Sequence, residues 1–136
     1  MTVGEVKRIR VAAAVVRRGR ELLMTQRPPG GPLGLQWEFP GGKIEEGERP
    51  EEALVREVRE ELGVEAEAAD TMAVETYRYP HGLEVELHFI RCTLASYEFT
   101  RSAAAHDVRW SDPAAVALDD VLAADRDFLT RLAAER

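Results

Sequence analysis

The sequence has little cysteine, no excess of basic residues and no long apolar run at its start. Cys92 is the only cysteine in 136 residues, which excludes an intrachain disulfide and favours a reducing, cytoplasmic setting. The formal net charge of −7 argues against a nucleic-acid-binding surface, which would be basic. The opening residues, MTVGEVKRIR, are too polar for a signal peptide or a membrane span. We therefore expect binding to neither nucleic acid nor membrane.

Internal repeats, low-complexity tracts and linkers are also absent from the sequence. A chain of 136 residues is long enough for a hydrophobic core and has the usual size of one domain. We therefore predict a single domain over residues 1–136.

One acidic stretch, from Gly42 to Val64, stands out: GKIEEGERPEEALVREVREELGV. Its eight glutamates and four basic residues account for −4 of the net charge. Pro50 suits the first turn of a helix and Gly63 the position just past its end, so we predict a helix from about Pro50 to Leu62. At about 100° per residue, one side of this helix is apolar and faces a sheet, with Leu54, Val55, Val58 and Leu62.

Three carboxylates share a neighbouring patch of the same helix, because Glu57 is three residues from Glu60 and four from Glu61. Like charges at these spacings destabilise a helix unless something compensates them. Carboxylate oxygens suit Mg²⁺, which also binds substrate phosphates. The alternative is that the glutamates form a solvated charged face. This is our interpretation of Glu45, Glu46, Glu51 and Glu52. It fits the three carboxylates less well, because Arg59 projects to the opposite side of the helix.

The stretch matches the pattern G-x5-E-x7-R-E-U-x-E-E-x-G-U, with U aliphatic, at all nine fixed positions: Gly42, Glu48, Arg56, Glu57, Val58, Glu60, Glu61, Gly63 and Val64. On these residues the chain resembles the Nudix hydrolases, whose signature is this Nudix box (residues 42–64). Residues 37–43, WEFPGGK, resemble the strand and loop before the box in MutT-like members. The resemblance implies a Nudix α/β/α sandwich with a central mixed β-sheet.

The resemblance also implies metal-binding and catalytic residues. Glu57, Glu60 and Glu61 match the ligands of Mg²⁺, with Mn²⁺ as an alternative, and Gly41 of the preceding loop joins them. Arg56 matches the arginine that holds the first metal carboxylate. We therefore expect Arg56, Glu57 and Glu60 to serve catalysis.

Other matching positions support the loop or approach the substrate. Glu48 and Gly63 match structural positions of the box. Gly42 and Lys43 match the loop that approaches the phosphates, where glycine lets the backbone come close.

Three residues outside the box are candidates for nucleotide contact. Arg27 matches an arginine that often faces the nucleotide in MutT-like relatives, or it lies exposed at the end of a strand. Trp37 either stacks on a base or packs in the core. Asp125 matches the position that reads the base edge, where a carboxylate accepts a hydrogen bond from an exocyclic amine, or it is the N-cap of the last helix.

The loop before Trp110 departs from the MutT-like pattern, so that several residues are candidates for the general base. Many such enzymes have a glutamate about six residues before this tryptophan, and Ala104 stands there. Glu60 is therefore the first candidate, His106 or Asp107 the second and Glu98 the third, since the base needs hydrogen-bond reach to the attacking water. Without the loop glutamate we expect a modest rate.

Hydrophobic alternation and turn residues predict the other elements. The predicted strands are Ile9–Val16, Glu21–Gln26, Trp37–Phe39, Ala69–Tyr79, Leu83–Leu94 and Asp107–Trp110, with Trp110 in the core. Residues 28–34 form a loop, residues 113–116 a helical turn, and a last helix runs from about Arg126 to Ala134.

The activity implied by the resemblance is a Mg²⁺-dependent nucleoside triphosphate diphosphatase that releases a nucleoside monophosphate and pyrophosphate. Its substrate would be 8-oxo-dGTP, or CTP, dCTP and their methylated forms. ADP-ribose, a nucleoside diphosphate sugar or a dinucleoside polyphosphate are alternative substrates, and a non-catalytic nucleotide sensor is an alternative function. Monomer and homodimer are both open.

Overall fold

Eight strands and two helices form the part of the chain that the computed structural model describes, residues 7–135. The strands are β1 (Lys7–Val15), β2 (Arg17–Arg18), β3 (Glu21–Gln26), β4 (Trp37–Glu38), β5 (Gly41–Lys43), β6 (Ala66–Arg78), β7 (Leu83–Leu94) and β8 (Asp107–Ser111). The helices are α1 (Pro50–Leu62) and α2 (Ala123–Ala134), and a 3-10 turn covers Leu118–Asp120. The prediction that no signal peptide is present concerns mainly residues 1–6, which lie outside the described range.

The strands form two sheets. The larger is mixed, with the order β5-β1-β7-β6, in which β1 runs parallel to β7 and the other pairs are antiparallel. The smaller contains β2, β3 and β4, with β8 paired to β3. The predicted central mixed sheet is confirmed, and the smaller sheet is an addition that the prediction did not contain.

The two helices cover opposite faces of the mixed sheet. On one face, Leu54, Val58 and Leu62 of α1 pack in a core with Ala12 and Ile90. On the other face, Phe128 of α2 stacks on Phe89 of β7 with ring centroids 4.1 Å apart. The layer order is therefore helix, sheet, helix, as expected.

Helix α1 begins and ends where the sequence predicts. Pro50 is its first residue, and Gly63 follows it in the left-handed conformation at φ 69°. The Gly63 N–H donates to the Arg59 carbonyl at 2.9 Å, which satisfies one of the last carbonyls of the helix. Val55 is only partly buried, and Ala53 takes its expected place in the core.

Helix α2 begins at Ala123, three residues before the predicted start. Leu122, with φ −50° and ψ 131°, is the N-cap residue of the helix, and its N–H donates to the Trp37 carbonyl at 2.9 Å. Asp125 is therefore the third residue of the helix and not its N-cap. This corrects the N-cap alternative, because tertiary pairing with β4 sets the start of α2.

Smaller differences concern the ends of other elements. Strand β6 begins at Ala66, three residues earlier than predicted, and residues 113–115 form a turn that is not helical. Trp110 is partly buried at the edge of the α1 core, where Arg18 lies 4.2 Å from the centre of its ring. Within residues 7–135, neither helix has the length and hydropathy needed to cross a membrane.

Candidate active site

Arg56 lies at the centre of a hydrogen-bonded network on α1. Its Nε and Nη2 donate to the two carboxylate oxygens of Glu48 at 2.8 and 2.9 Å, a bidentate pair. Its Nη1 donates to Glu57 at 2.8 Å and to Glu60 at 3.5 Å. Its Nη2 also donates to the Lys43 carbonyl at 2.9 Å. One guanidinium thus connects three carboxylates to the loop before the helix, as its planar fork of donors allows.

The pairing with Glu48 fixes the loop between β5 and α1. Glu48 also accepts a hydrogen bond from the Glu45 N–H at 2.9 Å. Hydrogen bonds from Arg56 and from the Glu45 backbone lower the pKa of Glu48 to about 2, and Glu48 and Glu57 raise the pKa of Arg56. Both groups therefore stay charged at neutral pH, and Glu48 has the supporting position expected of it.

Glu61 faces the other side of the same loop. Its Oε1 accepts a hydrogen bond from the Gly41 N–H at 3.3 Å. Gly41 has φ 141°, and a Cβ there would lie 2.0 Å from the Ala12 carbonyl oxygen. Only glycine allows this close approach of two backbones, and it brings Gly41 next to the Glu61 carboxylate.

Gly42 makes room for a second carboxylate. A Cβ at Gly42 would lie 2.4 Å from both Cδ and Oε2 of Glu57. The end of the Glu57 side chain therefore fills the space that a side chain at position 42 would occupy. This brings the Glu57 carboxylate against the β5 backbone.

The donor chemistry of this region fits a hard divalent cation. Glu57, Glu60 and Glu61 supply only oxygen atoms, and Gly42 leaves space for the Glu57 carboxylate beside the loop. Within residues 7–135, no group of three histidine, cysteine, aspartate or glutamate side chains converges on one point as ligands around an ion do. Arg56 binds Glu57 and Glu60, while Glu61 is turned towards the Gly41 N–H. Convergence on a cation therefore requires rotation of side chains that already share one end of α1.

A pocket with a cavity of about 140 Å³ opens on the α2 side of the mixed sheet. Its walls are mostly apolar, and its polar lining groups are Arg27, Glu38, Tyr79 and Asp125. Arg27 Nη1 donates to Glu38 at 3.4 Å, and Asp125 Oδ2 accepts a hydrogen bond from the Phe39 N–H at 3.2 Å. A small apolar pocket with a few polar groups is typical of a ligand site.

Burial raises the pKa of three carboxyl groups along this path. The pKa of Asp125 rises to about 8 through burial and the neighbouring charge of Glu38. The pKa of Glu61 rises to about 8 for the same two reasons, and burial raises the pKa of Glu38 to about 7 against the opposing effect of Arg27. The charge of Glu38 thus acts both on Asp125 in the pocket and on Glu61 on α1.

Trp37 does not line this pocket. The side chain is 7% exposed, and the guanidinium of Arg109 lies 4.0 Å from the centre of the ring. With the ring buried and covered by a cation, stacking on a base has no free face. This corrects the stacking alternative in favour of the core alternative for Trp37.

The other candidates are distributed as follows. Arg27 lines the pocket and its side chain is also 43% exposed, so both alternatives for this residue stay open. Lys43 is exposed, and only its carbonyl is engaged by Arg56. Glu98, His106 and Asp107 are exposed.

Glu38 is the site residue that sequence reasoning missed. It stands between Trp37 and Phe39 in an alternating strand, which predicts that it points away from both aromatic side chains. A charged residue next to the phosphate loop carried a signal, but alternation alone suggested a solvent-facing glutamate. Glu38 is instead partly buried and paired with Arg27.

Comparison with known proteins identifies the family of this fold. A model of the NUDIX domain matches residues 6–132. The chain belongs to the Nudix family. Members of this family generally use divalent metal ions and act on small nucleotide substrates.

Curated Nudix relatives align with part of the chain. The chain is 43% identical over 82 residues to the CTP pyrophosphohydrolase of Escherichia coli (strain K12), over 60% of each protein. It is 36% identical over 75 residues to the 8-oxo-dGTP diphosphatase of Proteus vulgaris, over 54% of this chain and 67% of the relative. The Nudix chain thus spans 60% of the length of the first of these relatives.

Solved Nudix structures cover nearly the whole chain. The solution structure of the E. coli ORF135 protein superimposes with a TM-score of 0.79 at 32% identity, over 98% of this chain and 94% of that chain. The crystal structure of the MutT protein from Methanosarcina mazei Go1 gives a TM-score of 0.83 at 23% identity, over 96% of each chain. At that identity the second match shows the Nudix fold alone.

Asp125 gives the protein a predictable pH dependence of stability. Its pKa of about 8 in the folded protein lies above the ordinary value of 3.8, so the folded state favours the protonated acid. The stability that this group contributes is complete below about pH 4 and is lost as the pH rises through about 8. We expect the Tm of the metal-free wild type to fall more steeply between about pH 5 and pH 8 than that of Asp125→Asn, which cannot ionise.

Thermal unfolding followed by circular dichroism, with a chelator present, measures both proteins across this range. Asp127→Asn, on the exposed side of the same helix, should follow the wild type. Parallel curves for the wild type and Asp125→Asn would contradict the prediction.

Proposed function

We propose that the protein is a Mg²⁺-dependent nucleoside triphosphate diphosphatase that releases a nucleoside monophosphate and pyrophosphate. The observation that carries the proposal is the arrangement around one loop. On one side of residues 39–43 lie the carboxylates that Arg56 and Gly41 hold. On the other side lies the pocket that contains Asp125 and Glu38. This arrangement suits a substrate with polyphosphate at one end and a base at the other.

Glu57, Glu60, Glu61 and the Gly41 carbonyl would hold the metal. When bound, a divalent cation there would neutralise phosphate charge and acidify a coordinated water. Arg56 keeps Glu57 and Glu60 within one guanidinium of each other and so limits their freedom before binding. Its charge also offsets the repulsion between carboxylates that share this end of α1.

The phosphates would approach the backbone of Gly42 and the side chain of Lys43. Gly42 presents no Cβ there, and Lys43 is exposed at the end of β5 and free to reach an anion. Arg27 lies at the mouth of the base pocket, where its pairing with Glu38 orients it. The sugar and base would then extend towards Asp125.

Glu60 remains the first candidate for the general base. Its carboxylate is 61% exposed and, among residues 7–135, has one polar contact, the 3.5 Å contact with Arg56. It is therefore free to take a proton from the attacking water. Water adds to a phosphorus atom, a phosphoanhydride bond breaks and pyrophosphate leaves. Asp107 is less suitable, because it accepts a hydrogen bond from the Val108 N–H at 2.8 Å.

Cytidine triphosphates are the favoured substrates, with 8-oxo-dGTP second. Two carboxyl groups in the pocket, on Glu38 and Asp125, offer acceptors to an exocyclic amine such as that of cytosine. The relative from E. coli that is 43% identical bears the name CTP pyrophosphohydrolase. The name 8-oxo-dGTP diphosphatase belongs to a relative that is 36% identical.

The proposal includes a cytoplasmic setting and a free nucleotide as the partner, without nucleic acid. Cys92 is buried and unpaired, as in a protein that needs no oxidising compartment. Monomer and homodimer both accommodate the site, since every residue assigned to it lies on this chain.

Product analysis with a panel of nucleotides tests the proposal. Canonical, oxidised and methylated nucleoside triphosphates, ADP-ribose and diadenosine polyphosphates are incubated with Mg²⁺, and pyrophosphate and phosphate are measured separately. We expect pyrophosphate from CTP or dCTP, and a loss of about 1000-fold in Glu61→Gln, which lacks one charged metal ligand.

Glu65→Gln is the control, because Glu65 pairs with exposed Arg59 away from the network around Arg56, so turnover should stay unchanged. Phosphate as the product, or turnover of ADP-ribose alone, would contradict the diphosphatase assignment. Tight nucleotide binding without turnover of any substrate would favour the sensor function instead.

A further inference from the structure

Three residues, Phe39–Gly41, connect the pocket to the proposed metal-binding end of α1, and we call them the linking segment. A carboxyl group engages each end: Asp125 accepts from the Phe39 N–H at 3.2 Å, and Glu61 accepts from the Gly41 N–H at 3.3 Å. Between them, the Pro40 carbonyl accepts from the Ala14 N–H at 2.7 Å. The Phe39 N–H, the Pro40 carbonyl and the Gly41 N–H therefore each have a partner on a different element.

We propose that Asp125 is a positioning residue for the metal site, acting through the Phe39 N–H and the linking segment on Gly41 and Glu61. The inference rests on the proposed function, since it assigns Gly41 and Glu61 to the metal. It differs from base recognition, because it predicts an effect of Asp125 in the absence of any base.

The Asp125 carboxyl is well placed to act on backbone. The residue is 3% exposed and lies in the first turn of α2. Neighbouring bonds fix that turn to the sheets: the Leu122 N–H donates to the Trp37 carbonyl and the Ala124 N–H donates to the Tyr79 hydroxyl at 3.3 Å. The Phe39 N–H is buried and has no other partner among the contacts of residues 7–135. Losing Asp125 would leave it unsatisfied, which is costly.

The linking segment is short and transmits a displacement with little loss. Proline at position 40 restricts φ. The close approach of Gly41 to the Ala12 carbonyl leaves no room for the Gly41 backbone to move towards β1. A shift of Phe39 would therefore reach Gly41 two residues later. The Phe39 ring opposes such a shift, because it packs against the rings of Phe89 and Phe128, with centroid distances of 5.6 and 5.8 Å.

We therefore expect a moderate effect on metal affinity. Loss of a group that contacts a metal ligand directly weakens binding by about 10- to 100-fold. Asp125 acts one step further away, and Phe39 keeps its packing, so Asp125→Ala should weaken metal binding by about three- to tenfold.

Two variants separate loss of the hydrogen-bond acceptor from loss of the ionisable group. Asp125→Ala removes the acceptor, whereas Asp125→Asn keeps an oxygen that accepts from the Phe39 N–H. Asp127→Ala makes the same chemical change as Asp125→Ala on the exposed side of α2 and is the control. Thermal unfolding establishes that each variant is folded at the assay temperature.

Mn²⁺ binding without nucleotide is the first measurement, with free Mn²⁺ followed by electron paramagnetic resonance. We expect weaker binding by Asp125→Ala only, with Asp125→Asn and Asp127→Ala within about twofold of the wild type. Amide hydrogen exchange at Phe39, measured by NMR, is the second. We expect its protection to be lost in Asp125→Ala and kept in Asp125→Asn.

A third measurement uses inorganic tripolyphosphate, which has no base to recognise. Slower turnover by Asp125→Ala than by Asp125→Asn, with Asp127→Ala at the rate of the wild type, would support positioning. Equal Mn²⁺ affinity in the wild type and Asp125→Ala, or equal weakening in both Asp125 variants, would overturn the inference alone. Absence of Mn²⁺ binding by the wild type would overturn the proposed function and the inference with it.

Discussion

Alanine at Gly42 is expected to slow turnover by about 100-fold while the protein stays folded, as small displacements of catalytic groups do. The added Cβ would lie 2.4 Å from Cδ and Oε2 of Glu57, so that carboxylate must move. The obstacle is the end of a flexible side chain and not backbone, and Glu57 can turn towards solvent. Gly42→Ala should therefore disturb the carboxylates of the site and leave the folding of the chain intact.

A double-mutant cycle with Glu57→Gln tests the explanation. If Gly42→Ala acts by displacing Glu57, adding Glu57→Gln should slow turnover little further, because both changes remove the same interaction. Steady-state rates and Mn²⁺ affinity of the two single variants and the double variant measure this. Losses that simply multiply would contradict displacement of Glu57 as the cause.

Gly47→Ala, in the same loop, provides the opposite control. Gly47 has φ 80°, and a Cβ there meets no atom within 4 Å. Alanine at this position should reduce the free energy of unfolding by about 1 kcal/mol through backbone strain and leave metal affinity unchanged. Gly42→Ala should therefore reduce turnover while the protein stays folded, and Gly47→Ala should reduce stability while metal affinity is unchanged.

The parts of the fold that the sequence predicted well depend on local signals. Pro50 and Gly63 mark the ends of α1 to the residue, because a missing N–H and a left-handed φ are properties of single positions. The spacing of Glu57, Glu60 and Glu61 likewise follows from helical periodicity. The contacts of Arg56 with Glu48, Glu57 and Glu60 lie within the same segment of 23 residues.

Contacts between distant segments were not predictable in the same way. Asp125 meets the Phe39 N–H across 86 positions of sequence, and no periodicity relates the two. The start of α2 moved to Ala123 because Leu122 pairs with Trp37, which is again a contact between distant segments. Trp37 was assigned two alternatives for the same reason, since only the position of Arg109 shows which face of the ring is covered.

Glu38 illustrates a limit of alternation as a guide. The pattern correctly separates Glu38 from Trp37 and Phe39, but it does not say what lies on the polar side of so short a strand. In this fold that side meets Arg27 and the charges of Glu61 and Asp125. Alternation alone does not show that the polar side of this strand lies close to charged groups of α1 and α2.

Replacing Arg56 with alanine should have the second large effect, a loss of about 10- to 100-fold in metal affinity and turnover. The guanidinium donates to Glu48, Glu57, Glu60 and the Lys43 carbonyl. Without it the carboxylates repel one another, and the loop before α1 loses its anchor. The free energy of unfolding should also fall, because the bidentate pair between Arg56 and Glu48 is lost.

Arg56→Lys is expected to recover little of this loss. A single ammonium group cannot form the bidentate pair with Glu48 and also reach Glu57. Arg59→Ala is the matched control on the same helix, because its partner Glu65 is exposed and such exposed pairs contribute little to stability. Urea unfolding and Mn²⁺ titration of the three variants measure both quantities.

The comparison of Arg56→Lys with Arg56→Ala decides what the arginine contributes. If positive charge alone matters, lysine should restore metal affinity, because it still offsets the repulsion among Glu57, Glu60 and Glu61. If geometry matters, both variants should lose affinity alike, and both should lose the stability that the Glu48 pair gives. The short distances of 2.8 and 2.9 Å to both Glu48 oxygens favour geometry. Full recovery by lysine would show that the site needs a cation at this position but not a guanidinium.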